Sequence, residues 1–359
     1  LTAALAAVAL ATLVPPPAPA SSLTPRQLSE LDSMLQTEMR RREIPGLAAG
    51  VVLGGEVAWV KGYGQANVED ATPARPETVF RLASVSKPIT ATLVMGLTEQ
   101  GLLDLDAPIQ RYVPAFPEHP WPVTARQLLC HLGGIRHYRP GEFGSTRHYT
   151  SLTESLSLFK DDPLVQEPGT RYLYSNYGYT LLGLAVETAT GLPYARAMRE
   201  RVFVPAGMET ARVCDVFEII PGRAAGYTRA KGAGLRNSGL SDTSSKVPGA
   251  GLCGSARDVS RFASALLQGR LVRGPTRDRM FAAQRTRGGR TLGYGLGWAL
   301  ATDARGQREV LHTGGQQEVS SVVYMVPRRA LAVTILCNLE GLSDNLSDVA
   351  RRVARIVAP

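Results

Sequence analysis

Lysine, histidine and cysteine are scarce in this sequence. Of its 40 basic residues only five are Lys, and 359 residues hold five His and four Cys. The cysteines (Cys130, Cys214, Cys253, Cys337) form no Cys-x-x-Cys, and the histidines (His119, His131, His137, His148, His312) form no His-x-x-x-His. The sequence thus offers no metal-ligand spacing and no Cys-x-x-Cys, and neither a metal nor an organic cofactor is expected. Each Cys sits among apolar or small neighbours, as a buried thiol does. One or two disulfides stay open, with three pairings if all four join. Aromatic residues make up only 6%. They are nearly missing from the basic stretch Arg270, Arg273, Arg277, Arg279, Arg285, Arg287 and Arg290, so a base-stacking nucleic-acid surface is not expected there and a solvated face is. The net charge of +9 comes from Arg and points only weakly to acidic partners. No apolar run approaches the roughly 20 residues of a transmembrane helix. The oligomeric state leaves no mark.

At 44% apolar residues the chain is a cored globular protein rather than a disordered one. Its first 22 residues stand apart. The Ala-rich apolar run Leu1–Val14, Pro15-Pro16-Pro17 and Ala18-Pro19-Ala20 read as an export signal cut near Ala20, a plain Ala/Pro tail being the alternative. No Arg precedes Arg26, which argues against an Arg-rich mitochondrial presequence. An exported location, in a bacterial periplasm or outside the cell, is expected.

Apolar residues at helical spacing (Leu28, Leu31, Leu35, Met39), with Thr24 as N-cap and Pro25 first in the helix, predict a helix to Arg42. Residues 46–60 read as a β-hairpin about Gly54-Gly55. A second helix runs from Ser84 to Gln100, and Gly101 ends it. From Leu102 to about Leu267 the pattern is mainly helical, with long loops at residues 138–150 and 231–251. Strand signals return at 296–300, 310–313, 319–326 and 331–338, and Ser343-Asp344 caps a final helix through Ile356. The expected architecture is α/β: one sheet built from both ends of the chain (23–100 and 290–359), flanked by helices, with a mainly helical lobe (101–289) inserted.

Three short patterns carry chemistry. In Ser84-Val85-Ser86-Lys87, i and i+3 share a helix face, so the Lys87 amine reaches the Ser84 hydroxyl. A desolvated lysine at a helix start can shed its proton and accept that of Ser84. A decoy, Ser157-Leu158-Phe159-Lys160, precedes Asp161-Asp162-Pro163 and reads as a surface helix end. In Tyr174-Ser175-Asn176 a phenol and an amide can face one pocket; a capped loop-to-helix junction explains that pattern as well. In His312-Thr313-Gly314-Gly315 the glycines let a ligand approach a strand end, where an edge N–H can face an oxyanion. A second decoy, Ser343-Asp344-Asn345, reads as a helix cap.

Together and in this order, Ser-x-x-Lys, Tyr-x-Asn and His-Thr-Gly resemble the serine β-lactamase and penicillin-binding protein superfamily, in its class C branch of D,D-peptidases, D-aminopeptidases and esterases. Residues 101–106, 127–131, 249–252 and 293–298 add to the likeness. Residues 124–127, 131–138 and 174–182 resemble a mitochondrial serine β-lactamase-like subgroup, and the likeness runs from about Ile44 to the C-terminus. The resemblance implies a β-lactamase-like fold with an antiparallel sheet. It also implies an acyl-enzyme on Ser84, with Lys87 as base and Tyr174 relaying the proton to the leaving group. Asn176 would orient Lys87 and the substrate. The Ser84 and Gly315 N–H groups would form the oxyanion hole, and His312, Thr313 and Gly314 would line the substrate strand.

One departure matters. His312 stands where β-lactamases carry a Lys that holds the antibiotic's carboxylate. A neutral imidazole favours small peptide, amide or ester substrates over penicillins, and carboxylate binding is expected to improve as pH falls towards about 5.5. The alternative is a non-hydrolytic penicillin-recognition or self-assembling protein on the same scaffold.

Overall fold

The computed structural model describes residues 22–230, 234–303 and 305–359. All but the last residue of the expected export signal lies outside the described residues, as does the start of the second long loop, residues 231–233. The hairpin strands β1 (Gly46–Leu53) and β2 (Glu56–Asn67) join four strands from the other end of the chain: β3 (Ala299–Thr302), β4 (Arg308–Gln316), β5 (Val319–Val326) and β6 (Leu331–Cys337). With the short segment Thr72–Pro73 beyond β2, the sheet has the order β2-β1-β6-β5-β4-β3 and every pairing is antiparallel. The junction of the two chain ends is β1 on β6, where Val51 lies opposite Val333.

Both faces of β1 are buried because helices cover both. Alternate side chains of a strand point to opposite faces. Leu47, Ala49 and Val51 pack with Leu31 and Leu35 of α1 (Pro25–Arg42) and with Val349 and Val353 of the C-terminal helix (Ser343–Val357). Ala48 and Val52 join the larger core with Ala256, Val259 and Phe262 of the helix Ala256–Leu267. That helix lies against β1 at Gly50, where any Cβ would stand 2.1 Å from Ser260 Oγ. The helix α2 (Ser86–Glu99) instead packs on α3 (Asn176–Thr190), so the sheet and helical parts interleave across residue 100.

Thr24 caps α1 as expected: its hydroxyl accepts the Gln27 N–H at 3.2 Å. Two local expectations need correction. The strand expected at Leu296 starts at Ala299, because Gly295-Leu296-Gly297-Trp298 is a turn closed by Gly295 N–H donating to Trp298 O at 2.8 Å. Its alternating apolar residues, Leu296 and Trp298, are core anchors of that turn. In the C-terminal helix, Ser343 is the first helical residue rather than the cap, and Leu342 occupies the N-cap without a side-chain bond. All four cysteines are buried free thiols in this structure, Cys214 and Cys253 within one small apolar cluster.

Candidate active site

Residues 80–87 reach the sheet and turn sharply into α2. Arg81 pairs with Cys253 in a small second sheet, and Leu82 O accepts the Ser321 hydroxyl at 2.7 Å from β5. Ala83 is then forced to a left-handed φ of 46°. Such backbone costs about 1–3 kcal/mol for a residue with a Cβ and persists only where surroundings hold it. The short 3₁₀ turn Ala83–Val85 holds Ser84 just ahead of α2, whose second residue is Lys87, so the helix expected from Ser84 begins at Ser86.

Lys87 is fully buried and has no carboxylate partner. Its Nζ stands 3.1 Å from Ser84 Oγ and 2.9 Å from Gly249 O, and it meets Asn176 Oδ1. Burial, and then the second buried lysine Lys246, hold its pKa well below the ordinary lysine value. A neutral amine suits this set: two N–H groups satisfy the two carbonyl-type acceptors, and the lone pair faces the Ser84 hydroxyl. Tyr174 O–H donates to Ser84 Oγ at 2.7 Å from the other side. Burial raises that phenol's pKa, so it is protonated at neutral pH.

Tyr174 and Asn176 are brought in by the start of α3. Ser175 is its N-cap: the hydroxyl accepts Gly178 N–H at 3.1 Å and donates to Arg136 O at 2.7 Å. Asn176 Nδ2 donates to Tyr138 Oη at 2.7 Å, which fixes the amide with Oδ1 towards Lys87. Sequence spacing therefore located four groups, Ser84, Lys87, Tyr174 and Asn176, that converge on one point.

A cleft of about 570 Å³ opens beside Tyr174, walled by Tyr172, Tyr294, His312, Thr313 and Arg290 among others. Strand β3 pairs with β4 only as far as Leu311, whereas β5 accompanies β4 to Gln316. Residues 312–315 thus have β5 on one side and, among the described residues, no strand on the other. Gly314 lies against the nucleophile turn, where a Cβ would stand 2.3 Å from Ser321 Oγ, 2.5 Å from Leu82 O and 3.0 Å from Ser84 N. Gly315 follows and is exposed.

His312 departs from the expectation placed on it. Its Nδ1–H donates to Thr313 O at 2.7 Å, and Nε2 accepts the Tyr294 hydroxyl at 2.8 Å. Burial, then the nearby Lys87, lower its pKa to about 3 against a small opposing effect of the Thr313 carbonyl. The imidazole is therefore neutral at pH 5.5, and the expected acid-driven gain in carboxylate binding falls away. The Ser157 decoy is as read: Ser157 is exposed with its hydroxyl on Glu154 O, and Lys160 pairs with Asp161 at the surface. Within the arginine stretch, Arg290 is exposed but also borders the cleft.

Several site residues carried no assigned role in the sequence: His131, Tyr138, Tyr294 and the Gly249 carbonyl. Their only signal was membership of the phrases 131–138, 249–252 and 293–298. Among the described residues no cluster of His, Cys, Asp and Glu could hold a metal ion.

The family described as Beta-lactamase matches residues 31–358. The human serine beta-lactamase-like protein LACTB, mitochondrial, is 29% identical over 408 aligned positions, covering 84% of this chain and 74% of that protein. Esterase EstB of Burkholderia gladioli is 30% identical over 376 positions, covering 90% and 94%. The octameric penicillin-binding protein homologue from Pyrococcus abyssi superposes with a TM-score of 0.74 at 26% identity, over 87% of this chain and 73% of that one. The match over nearly the whole folded chain, on a sheet and helices of the same kind, shows that this chain belongs to the beta-lactamase family, within the serine beta-lactamase-like superfamily.

Proposed function

We propose that the protein is a serine hydrolase that cleaves small esters or amides, including short peptides, through an acyl-enzyme on Ser84. The observation that carries this is the position of Ser84 Oγ between Lys87 Nζ at 3.1 Å and Tyr174 Oη at 2.7 Å, with no carboxylate on the lysine. Kinship with an esterase supports the same class of reaction.

Ser84 Oγ attacks the carbonyl carbon as its proton passes to neutral Lys87, a general base whose pKa burial holds well below the ordinary lysine value. The oxyanion is met by the Ser84 N–H at the start of α2 and by the Gly315 N–H on the open edge of β4. Collapse breaks the bond to the leaving group, which takes the Tyr174 proton; Lys87 returns its proton to the phenolate. Asn176 and Gly249 O keep the amine aimed, and Thr313 lines the path of the substrate. Neutral His312 supplies no fixed charge for a carboxylate, so neutral esters and amides are the favoured substrates over penicillins.

Incubation with a fluorophosphonate, followed by intact-mass and peptide mapping, tests the reading. One adduct on Ser84, lost in Ser84→Ala, is expected. A folded protein that takes no label and hydrolyses no ester in a substrate library would instead be a non-catalytic member of the family.

A further inference from the structure

His131 packs against Tyr174 and bonds to both of its neighbours in sequence, yet it touches neither Ser84 nor Lys87 by a hydrogen bond. Its carbonyl accepts Leu173 N–H at 2.8 Å, and its Nδ1 accepts Ser175 N–H at 3.2 Å. The residues immediately before and after Tyr174 are thus both fastened to this one residue. Between these two bonds the imidazole lies against the Tyr174 ring, with centroids 4.3 Å apart and planes 35° apart. Tyr172, Tyr179 and Tyr294 surround it at 5.5, 5.4 and 5.0 Å.

The backbone confirms how tightly the position is specified. His131 has φ 59°, a left-handed conformation unusual for a residue with a side chain. It directs carbonyl and imidazole together at the 173–175 segment. Because Nδ1 accepts, the proton sits on Nε2, and that buried N–H has no hydrogen-bond partner. Four tyrosine rings lie within 5.5 Å of the imidazole between centroids, so it is held by packing rather than by a second strong bond. Tyr294, one of those rings, donates to His312 on β4.

We infer that His131 is a positioning residue for proton delivery: it sets the Tyr174 phenol against Ser84 Oγ through both flanking amides and the ring face. The inference rests on the role of Tyr174 proposed above. Displacing a catalytic group by about 1 Å can cost on the order of 10²-fold in rate. The loss should fall on substrates whose leaving group needs a proton, and spare those that leave as stable anions.

The experiment compares p-nitrophenyl and alkyl esters of one acyl group, with kcat/KM measured for wild type, Tyr174→Phe, His131→Asn and His131→Phe. His131→Asn keeps an acceptor and tolerates the left-handed backbone but removes the ring. His131→Phe keeps a ring and removes the acceptor. Both should lose about tenfold or more on the alkyl ester and less than about threefold on the p-nitrophenyl ester. Adding either to Tyr174→Phe should not widen the gap between the two esters further. If Tyr174→Phe widens the gap and the folded His131 variants do not, the inference falls alone. If Tyr174→Phe leaves the gap unchanged, the proton-relay reading falls and takes the inference with it. Should His131→Phe fail to fold, His131→Asn decides the matter.

Discussion

The Tyr294 hydroxyl donates to His312 Nε2 at 2.8 Å, while the imidazole's other nitrogen is committed to the Thr313 carbonyl. A proton could enter only by breaking the tyrosine bond inside a buried site. The KM of a carboxylate-bearing ester, relative to its methyl-blocked analogue, should therefore stay constant from pH 7 to pH 5. A selective improvement for the carboxylate at pH 5 would show that His312 does protonate in that range.

Buried neutral histidines also set the acid stability. His131 is held well below its ordinary pKa, and His312 at about 3, mainly by burial. Between the ordinary value near 6.5 and the lowered one, the unfolded chain binds these protons and the native chain does not. Stability is thus fully present above about pH 6.5 and falls as pH drops, by up to about 1.4 kcal/mol per pH unit for each such His. Urea unfolding at pH 7, 6 and 5 checks it. A constant unfolding free energy across that series contradicts the assignment.

Ser84→Ala should abolish fluorophosphonate labelling, whereas Ser157→Ala should leave it intact. Ser157 is exposed and its hydroxyl is spent on Glu154 O, far in chemistry from a buried amine. Labelling that vanishes in folded Ser157→Ala would transfer the site to the decoy.

Lys87→Arg and Lys87→Ala should both slow acylation by on the order of 10²-fold or more, because a guanidinium keeps its proton at neutral pH. In the wild type the rate should fall as pH drops through the lowered Lys87 pKa, since the base is then protonated. Stopped-flow acylation across pH reads both. An arginine variant with near-normal acylation excludes Lys87 as the base.

Gly314→Ala should cost about 1–3 kcal/mol in stability and most of the activity. Its methyl group would press on Ser321 Oγ, Leu82 O and Ser84 N, none of which is the free end of a flexible chain. Thermal unfolding with an ester assay is sufficient. Normal values in both would mean that β4 can withdraw from the nucleophile turn without consequence.

What could be read from the sequence is local. The helix from Pro25, the hairpin of β1 and β2 and the strand β5 are bounded by their own caps and turns. Ser84 and Lys87 meet because a 3₁₀ turn runs directly into α2, and Tyr174 with Asn176 because a cap separates them. The rest depends on partners distant in sequence. Ser175 N–H finds His131 across 44 positions, and Lys87 finds the Gly249 carbonyl across 162. The proton state of His312 is decided by burial and then by the nearby Lys87, neither visible in His-Thr-Gly. The strand expected at Leu296 misled for a related reason: alternating apolar residues separated by glycines satisfy a turn as well as a strand.

The end of β4, which among the described residues has a strand on one side only, has a second consequence, for how copies of this protein meet. A strand partnered on one side invites another chain to complete it, whether a substrate or a neighbouring molecule. Here the bare length is short, residues 312–315, and two of its residues are glycines, which hold an added strand weakly. On the function proposed above, the edge would align a short extended ligand beside Ser84, and its brevity disfavours a lasting sheet between molecules. Brevity at this edge keeps a working surface from becoming an aggregation seed.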